Sequence, residues 1–234
     1  MPDFSLRSYE KELLDSDDIP FNDIKRNMQE LEFINTNLGG HKITLDGFKK
    51  MRSAIRNNSI AVCEIGCGGG DNLIVIDKWC KKNKIAARMI GIDINKDCIG
   101  YAKENCRSIR ESDFITSDYK LAAFNQKPDV IFSSLFCHHL NDEQFIEMLQ
   151  WSKQNSITGF FINDLHRHFL AYYSIKLLTG LFSKSYLVKN DAPLSVRRGF
   201  KKKELQKLLE KAGIKNYSIS WKWAFRWLVI VKNE

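Results

Sequence analysis

Apolar positions along this chain recur with two different periods. From Phe21 to Leu38, Ile24, Met28, Leu31, Ile34 and Leu38 fall three or four residues apart, the spacing of one helix face. Residues 1–57 read as helical, with polar or flexible breaks at Asp15–Pro20 and Gly39–Gly40, and are expected to form a cap on a domain spanning residues 58–234. At residue 59 the period changes. Ser59–Ile65 is a short apolar run ending in glycines, as a strand buried on both faces should be. Asp71–Lys82 returns to helical spacing. Arg88–Ile94 predicts a second strand, and Asn95 can cap a helix running to Cys106. Asp113–Ser117, Asp129–Phe136 and Thr158–Leu165 predict three more strands. Asn141 with Gln144 three residues on resembles a capping box for a helix ending near Gln154.

This alternation predicts an α/β domain with a mostly parallel sheet and helices on both faces. Residues 166–200 interrupt it with a helical insertion whose first part, Phe169–Phe182, carries bulky apolar residues suited to a substrate lid. The tail differs again. Lys201–Ala212 is a basic amphipathic helix stopped by Gly213. Tyr217–Trp223 and Arg226–Lys232 are strands separated by two residues, which predicts a hairpin adding antiparallel strands at one edge.

Composition narrows the class. With 44% hydrophobic and 27% charged residues among 234, and only 4 prolines, the chain is an ordinary globular one. Its net charge of +8 is concentrated after residue 180, where 13 Lys+Arg stand against 4 Asp+Glu. Such a tail suits a solvated helix, a nucleic acid or an anionic membrane surface. No apolar run reaches the length of a membrane span, and the charged start MPDFSLRSYEKELLD is no secretory signal, so a cytoplasmic protein is expected. The six cysteines, at 63, 67, 80, 98, 106 and 137, include no C-x-x-C pair; free thiols and no metal site are expected.

The strongest chemical signal is Val62-Cys63-Glu64-Ile65-Gly66-Cys67-Gly68-Gly69-Gly70, placed where the first strand turns into its helix. The dinucleotide pattern G-x-G-x-x-G fails, because Asp71 stands where its third glycine belongs. The pattern acid-x-G-x-G-x-G is filled by Glu64, Gly66, Gly68 and Gly70. A carboxylate at the strand end suits a cationic amine rather than a pyrophosphate. Asp93 ends the second strand, where an acid accepts ribose hydroxyls. Asp118-Tyr119 ends the third, where a carboxylate and an aromatic ring suit an adenine. A ribose, an adenine and an amino-acid end together describe S-adenosylmethionine.

At VCEIGCGGGDN, GIDIN and DVIFSSLFCHHLND the chain resembles the class I S-adenosylmethionine-dependent methyltransferases. The resemblance covers residues 59–162 well. It implies a three-layer, Rossmann-like, seven-stranded sheet with a terminal hairpin. It also implies a cofactor site drawn from Glu64, Gly66, Cys67, Gly68, Gly70, Asn72, Asp93, Ile94, Asp118, Tyr119, Ser133 and Ser134. The two histidines after the fourth strand are similar to the small-molecule branch that includes ubiquinone and menaquinone methyltransferases. NLGG, INDLHRH and DAPLSVRRGF resemble a bacterial subgroup associated with polyketide-type pathways. The stretch Ser133-Ser134-Leu135-Phe136 lacks the [N/D]-P-P-[Y/F] motif of enzymes that methylate nucleobase amines or glutamine.

A hydroxyl acceptor must lose a proton, for which histidine is the usual base. His139 is the first candidate and His166 the second; His138, Arg167, Tyr172, Tyr173 and Arg197 are candidate substrate contacts. The expected function is O- or C-methylation of a small hydrophobic, aromatic or polyketide-like acceptor by a monomer or homodimer with peripheral membrane contact conceivable and nucleic acid not expected as a partner. The alternative is an RNA or protein methyltransferase that uses the basic tail.

Overall fold

The computed structural model describes residues 2–16 and 18–233. Its centre is β1 (Ser59–Ile65), which pairs in parallel with β2 (Ala86–Asp93) on one side and β4 (Val130–Ser134) on the other. β3 (Ser112–Thr116) extends the sheet beyond β2, and β5 (Gly159–Leu165) beyond β4. β6 (Tyr217–Lys222) and β7 (Arg226–Lys232) form the hairpin, and β7 lies antiparallel to β5. The order is β3-β2-β1-β4-β5-β7-β6, so the chain reverses its direction of travel at β1 and β4. A ligand crevice opens beyond the C-terminal ends of these two strands.

The sequence explains the layers. β1, β4 and β5 are buried on both faces, as near-continuous apolar strands must be. Phe132 and Phe161 stack at 4.9 Å between ring centres on one face, while Phe145 meets Phe200 on the other. α3 (Asp71–Lys82), α4 (Lys96–Asn105), α5 (Asp142–Asn155) and α8 (Lys202–Lys211) cover the sheet. Asn95 caps α4 by accepting from Asp97 and Cys98, and the capping box at Asn141 and Gln144 starts α5. All six cysteines are buried free thiols.

Residues 1–57 do not act as one cap. α2 (Gly40–Arg52) belongs to the sheet's own helix layer and lies on β5 and β7. At Gly47 a Cβ would stand 2.6 Å from Phe161 Cδ2, so only glycine permits this approach. Asn163, fully buried on β5, donates to Gly40 O, Thr44 Oγ1 and Ser134 Oγ and ties α2 to the strand ends. The crevice is roofed instead by α1 (Phe21–Asn37), by α7 (Tyr186–Arg198) and by an extended N-terminal strap containing the short 3-10 turn Leu13–Asp15. α6 (Phe169–Phe182) runs alongside α7. The strap is pinned to α7 because Asp191 accepts the backbone N–H groups of Leu13 and Leu14.

Candidate functional site

The loop after β1 is built by three glycines with positive φ: Gly66 (67°), Gly68 (50°) and Gly70 (75°). A Cβ on Gly66 would fall 2.4 Å from the Phe136 ring, so steric room and backbone conformation both demand glycine there. Asp93 holds the loop in place. Its Oδ2 accepts the Gly68 N–H and its Oδ1 the Asn95 N–H, both at 2.9 Å. Burial raises the pKa of Asp93, and these two hydrogen bonds only partly offset the shift.

Glu64 lies deeper. It is buried, and Asn72 donates to its Oε1 at 2.9 Å. Its Oε2 has no partner among the described residues, nor has Asn72 Oδ1. Burial, with the charges of Asp71 and Asp93, pushes the Glu64 carboxyl well above its usual value. A buried acid and a neighbouring free acceptor facing a cavity call for a cationic hydrogen-bond donor.

That cavity has a volume of about 660 Å³ and extends from the glycine loop to the strap. Of the candidate cofactor residues, Glu64, Gly66, Cys67, Gly68, Asn72, Asp93, Ile94, Asp118, Tyr119 and Ser134 line it. Gly70 and Ser133 do not: Gly70 shapes the start of α3, and the Ser133 hydroxyl lies against Cys137 Sγ at 3.1 Å, beneath the surface. Tyr119 packs edge-on against Trp151 and Phe136 and keeps an unpartnered hydroxyl. Leu135 takes φ of 55°, a costly conformation for a branched side chain, and turns the chain so that Leu135 and Phe136 both reach the cavity.

Beyond β4 the wall is polar and partly buried. His138 and His139 form a short 3-10 turn after β4, with ring centres 4.4 Å apart. His138 Nδ1 lies 2.8 Å from Asp164 Oδ1. Burial opposes ionisation of Asp164, but His138 and the Leu165 N–H hold its pKa low, so the carboxylate accepts and Nδ1 donates. His139 Nδ1 stands in the same relation to Asp15 Oδ1, at 3.1 Å. Burial alone would lower the His139 pKa; the Asp15 hydrogen bond and the charges of Glu12 and Asp15 outweigh it and raise it. Asp15 in turn is held well below the usual carboxylate range, against its own burial, by His139 and Arg198.

The Nε2 atoms of the two histidines both approach Glu12, at 3.6 and 3.7 Å, too far for hydrogen bonds. Arg198 fastens the whole group. It donates to the carbonyls of Glu10, His138 and His139 and to Asp15 Oδ2. Glu12, His138 and His139 place one carboxylate oxygen and two imidazole nitrogens within 4.8 Å of one another, donor types able to hold a divalent cation. Glu12 already accepts the Ser195 hydroxyl at 2.8 Å and has the Arg198 guanidinium 3.9 Å away. That fixed cation makes the group better suited to moving a proton than to binding a second cation.

Several sequence candidates lie elsewhere. His166 is absent from the cavity wall. It packs beside Trp227 and accepts from Trp221 Nε1 at 3.2 Å, and burial, with positive neighbours, lowers its pKa to about 4. Its displacement follows from strand alternation: Leu165 faces the cavity, so the next side chain faces away. Arg167 is fully buried and binds Glu204, Gly199 O, Phe4 O and Ser5 O. Arg197 pairs with Glu10, and Tyr172 and Tyr173 lie on α6 outside the cavity lining. Arg167→Ala is therefore expected to cost about 1–3 kcal/mol in urea unfolding, the scale for leaving the carbonyls of Phe4, Ser5 and Gly199 without their donor. Folded enzyme would keep its affinity for ligands; a selective loss of acceptor affinity would restore Arg167 to the substrate site.

Glu12, Asp15, Ser195 and Arg198 were not singled out by sequence reasoning as site residues. Glu12 and Asp15 stand more than 120 positions from the histidines they meet, and nothing in their spacing announces the contact.

Residues 62–154 match a methyltransferase domain family. No curated protein matches the chain. Among solved structures, the plantazolicin methyltransferase BpumL in complex with SAH is similar at TM-score 0.67 and 18% identity, with 90% of each chain covered. The magnesium protoporphyrin IX methyltransferase ChlM of Synechocystis PCC 6803 is similar at TM-score 0.57 and 18% identity, covering 86% of this chain and 88% of its own. The CurJ carbon methyltransferase is similar at TM-score 0.59 and 17% identity, covering 81% of this chain and 53% of its own.

Proposed function

Because this chain carries the methyltransferase domain of the class I S-adenosylmethionine-dependent enzymes, we propose that it methylates a small hydrophobic acceptor with an acidic hydroxyl, aromatic or polyketide-like in character. The observation that carries this is the roofed cavity, which joins the glycine loop to the His139 group and is closed over by the strap, α1 and α7. Its volume is that of a small-molecule site.

The residues fit the cofactor. The unpartnered Glu64 Oε2 and Asn72 Oδ1 are the acceptors an α-ammonium group requires. Gly66 and Gly68 leave the backbone bare where a ligand approaches. Each Asp93 oxygen uses one lone pair on a backbone N–H and keeps another for a ribose hydroxyl. When bound, S-adenosylmethionine supplies an electrophilic methyl group.

Apolar side chains, among them Ile24, Leu31, Ile175, Val188 and Val196, line the cavity alongside the His139 group. There His139 serves as general base. Nδ1–H donates to Asp15, which fixes the tautomer and leaves the Nε2 lone pair to take the acceptor's hydroxyl proton. The imidazolium so formed faces Asp15 and Glu12, whose charges stabilise it. Proton removal also raises electron density at the ring carbons of a phenol, so the same site serves O- or C-methylation. The basic helix α8 contributes no residue to the cavity, and Arg197 and Lys222 pair with Glu10 and Asp46, so of these three tail cations Arg198 alone is built into the site.

Incubation with S-adenosylmethionine and a panel of lipophilic phenols and polyketide-like compounds tests this, with S-adenosylhomocysteine release as the readout. Release with a small acceptor is expected; release only on addition of RNA or protein would overturn it. The pH dependence gives a second check. The base must be deprotonated, and its pKa is raised, so kcat should climb through a limb lying above the ordinary histidine value of about 6.5. Asp15→Asn and Glu12→Gln each remove a negative neighbour and should move that limb toward lower pH. An unmoved limb would mean that another group titrates. The sign for stability is opposite: the raised His139 pKa stabilises the fold below about pH 6.5, and this contribution is lost as pH rises through the folded-state pKa.

A further inference from the structure

α6 presents its faces in an order opposite to that of a helix packed on a soluble domain. Its inward side is Ala171, Ile175 and Thr179, small or half-buried residues four positions apart. Its outward side is Phe169, Leu170, Tyr173, Leu177, Leu181 and Phe182, exposed by 46–77%. The apolar surface continues past the end of the helix. Phe169 stacks on His168, His168 on Phe225, and Phe225 packs against Trp223 at the β6–β7 turn, where Trp223 is 68% exposed. A contiguous surface of this kind exceeds what a free soluble domain normally leaves in water.

Its electrostatic setting indicates what covers it. Residues 169–190 contain Lys176, Lys184 and Lys189, all exposed, and neither Asp nor Glu; the carboxylate of Glu30 on α1 is held at the end of α6 by the N–H groups of Lys184 and Ser185. A second copy packed α6 against α6 would bring no Asp or Glu from residues 169–190 to meet these lysines. An anionic lipid surface would meet them with opposite charge, accept the leucines and phenylalanines between its acyl chains, and seat the Trp and Tyr rings at headgroup level. No helix among the described residues is long and apolar enough to cross a membrane, which leaves a helix lying in the interface plane.

We infer that α6 and the β6–β7 turn dock on the surface of an anionic phospholipid membrane. This places α6, whose Ile175 lines the cavity, between bilayer and active site, so a lipophilic acceptor could pass from one to the other without crossing water. The inference rests on the exposed surface alone and holds whatever the acceptor is.

Co-sedimentation of the full chain with vesicles tests it. Replacing about a third of the phosphatidylcholine with phosphatidylglycerol should strengthen binding about tenfold or more. Added salt should weaken it. The triple variant Leu177→Glu, Leu181→Glu, Phe182→Glu should lower partitioning about tenfold or more. These side chains are exposed, so affinity for S-adenosylhomocysteine should not change, and that measurement confirms folding. Absence of binding to anionic vesicles, or equal binding by the triple variant, would overturn the inference. So would a dimer in sedimentation velocity that the triple variant abolishes, since the surface would then be a contact between copies.

Discussion

His139→Ala should lower kcat by about 10²–10⁴-fold, the range for loss of a positioned general base. S-adenosylhomocysteine affinity should change little, because His139 makes no hydrogen bond to the glycine loop, to Glu64 or to Asp93 and acts on Asp93 through its charge alone. The size of the effect follows from the arrangement around the ring. Asp15 fixes the tautomer, Glu12 and Asp15 stabilise the imidazolium, and Arg198 holds the backbone carbonyls of both histidines. A water molecule in the vacated space would inherit none of these. His138 has the same Nδ1–carboxylate arrangement through Asp164, but it is 3% exposed where His139 is 23% exposed, so an acceptor reaches His139 more readily. Single-turnover kinetics beside calorimetry separate the possibilities. Equal losses of rate and cofactor affinity would make His139 a structural residue, and an unchanged rate would remove it from the chemistry.

Asp93→Ala should weaken S-adenosylhomocysteine binding by about 1–3 kcal/mol, or about 5- to 150-fold. Two effects combine. The ribose hydroxyls lose their acceptor, and the Gly68 N–H loses the bond that holds the loop in its positive-φ course. Asp93→Asn separates them, because an amide oxygen can still accept from Gly68 but offers fewer acceptor sites to the ribose. An intermediate loss is expected for Asn. Calorimetry showing full affinity in both variants would end the ribose assignment and require the ligand's orientation in the crevice to be rebuilt.

The chain's own pattern determined the sheet and the cofactor end of the site. β1 and α3 begin and end where the change of period places them, because a strand buried on both faces and a helix with one apolar face leave different local signatures. The glycine loop was legible because positive φ and close backbone approach admit almost nothing but glycine. Glu64 and Asp93 lie at the C-terminal ends of β1 and β2 as the alternation places them, and Asp118 falls two residues beyond β3, where it caps the turn Tyr119–Leu121; all three line the cavity. β2 runs from Ala86 to Asp93 rather than from Arg88 to Ile94, and its first residue lies in register with Ser59 at the start of β1.

The acceptor end was decided by tertiary structure. His138 and His139 follow β4 in sequence, but the setting on which the proposed base depends is an acid on the N-terminal strap and an arginine at the end of α7, brought together by folding alone. The same holds for the failures. Arg167 and His166 sit in a motif suggestive of a substrate contact, yet strand alternation and the return of Phe200 beside β5 turn one into the core and the other against the hairpin. Sequence periodicity encodes which face of an element is apolar. It does not encode which remote element will cover that face, and α6, apolar on the side that none of the described residues covers, shows the difference most plainly.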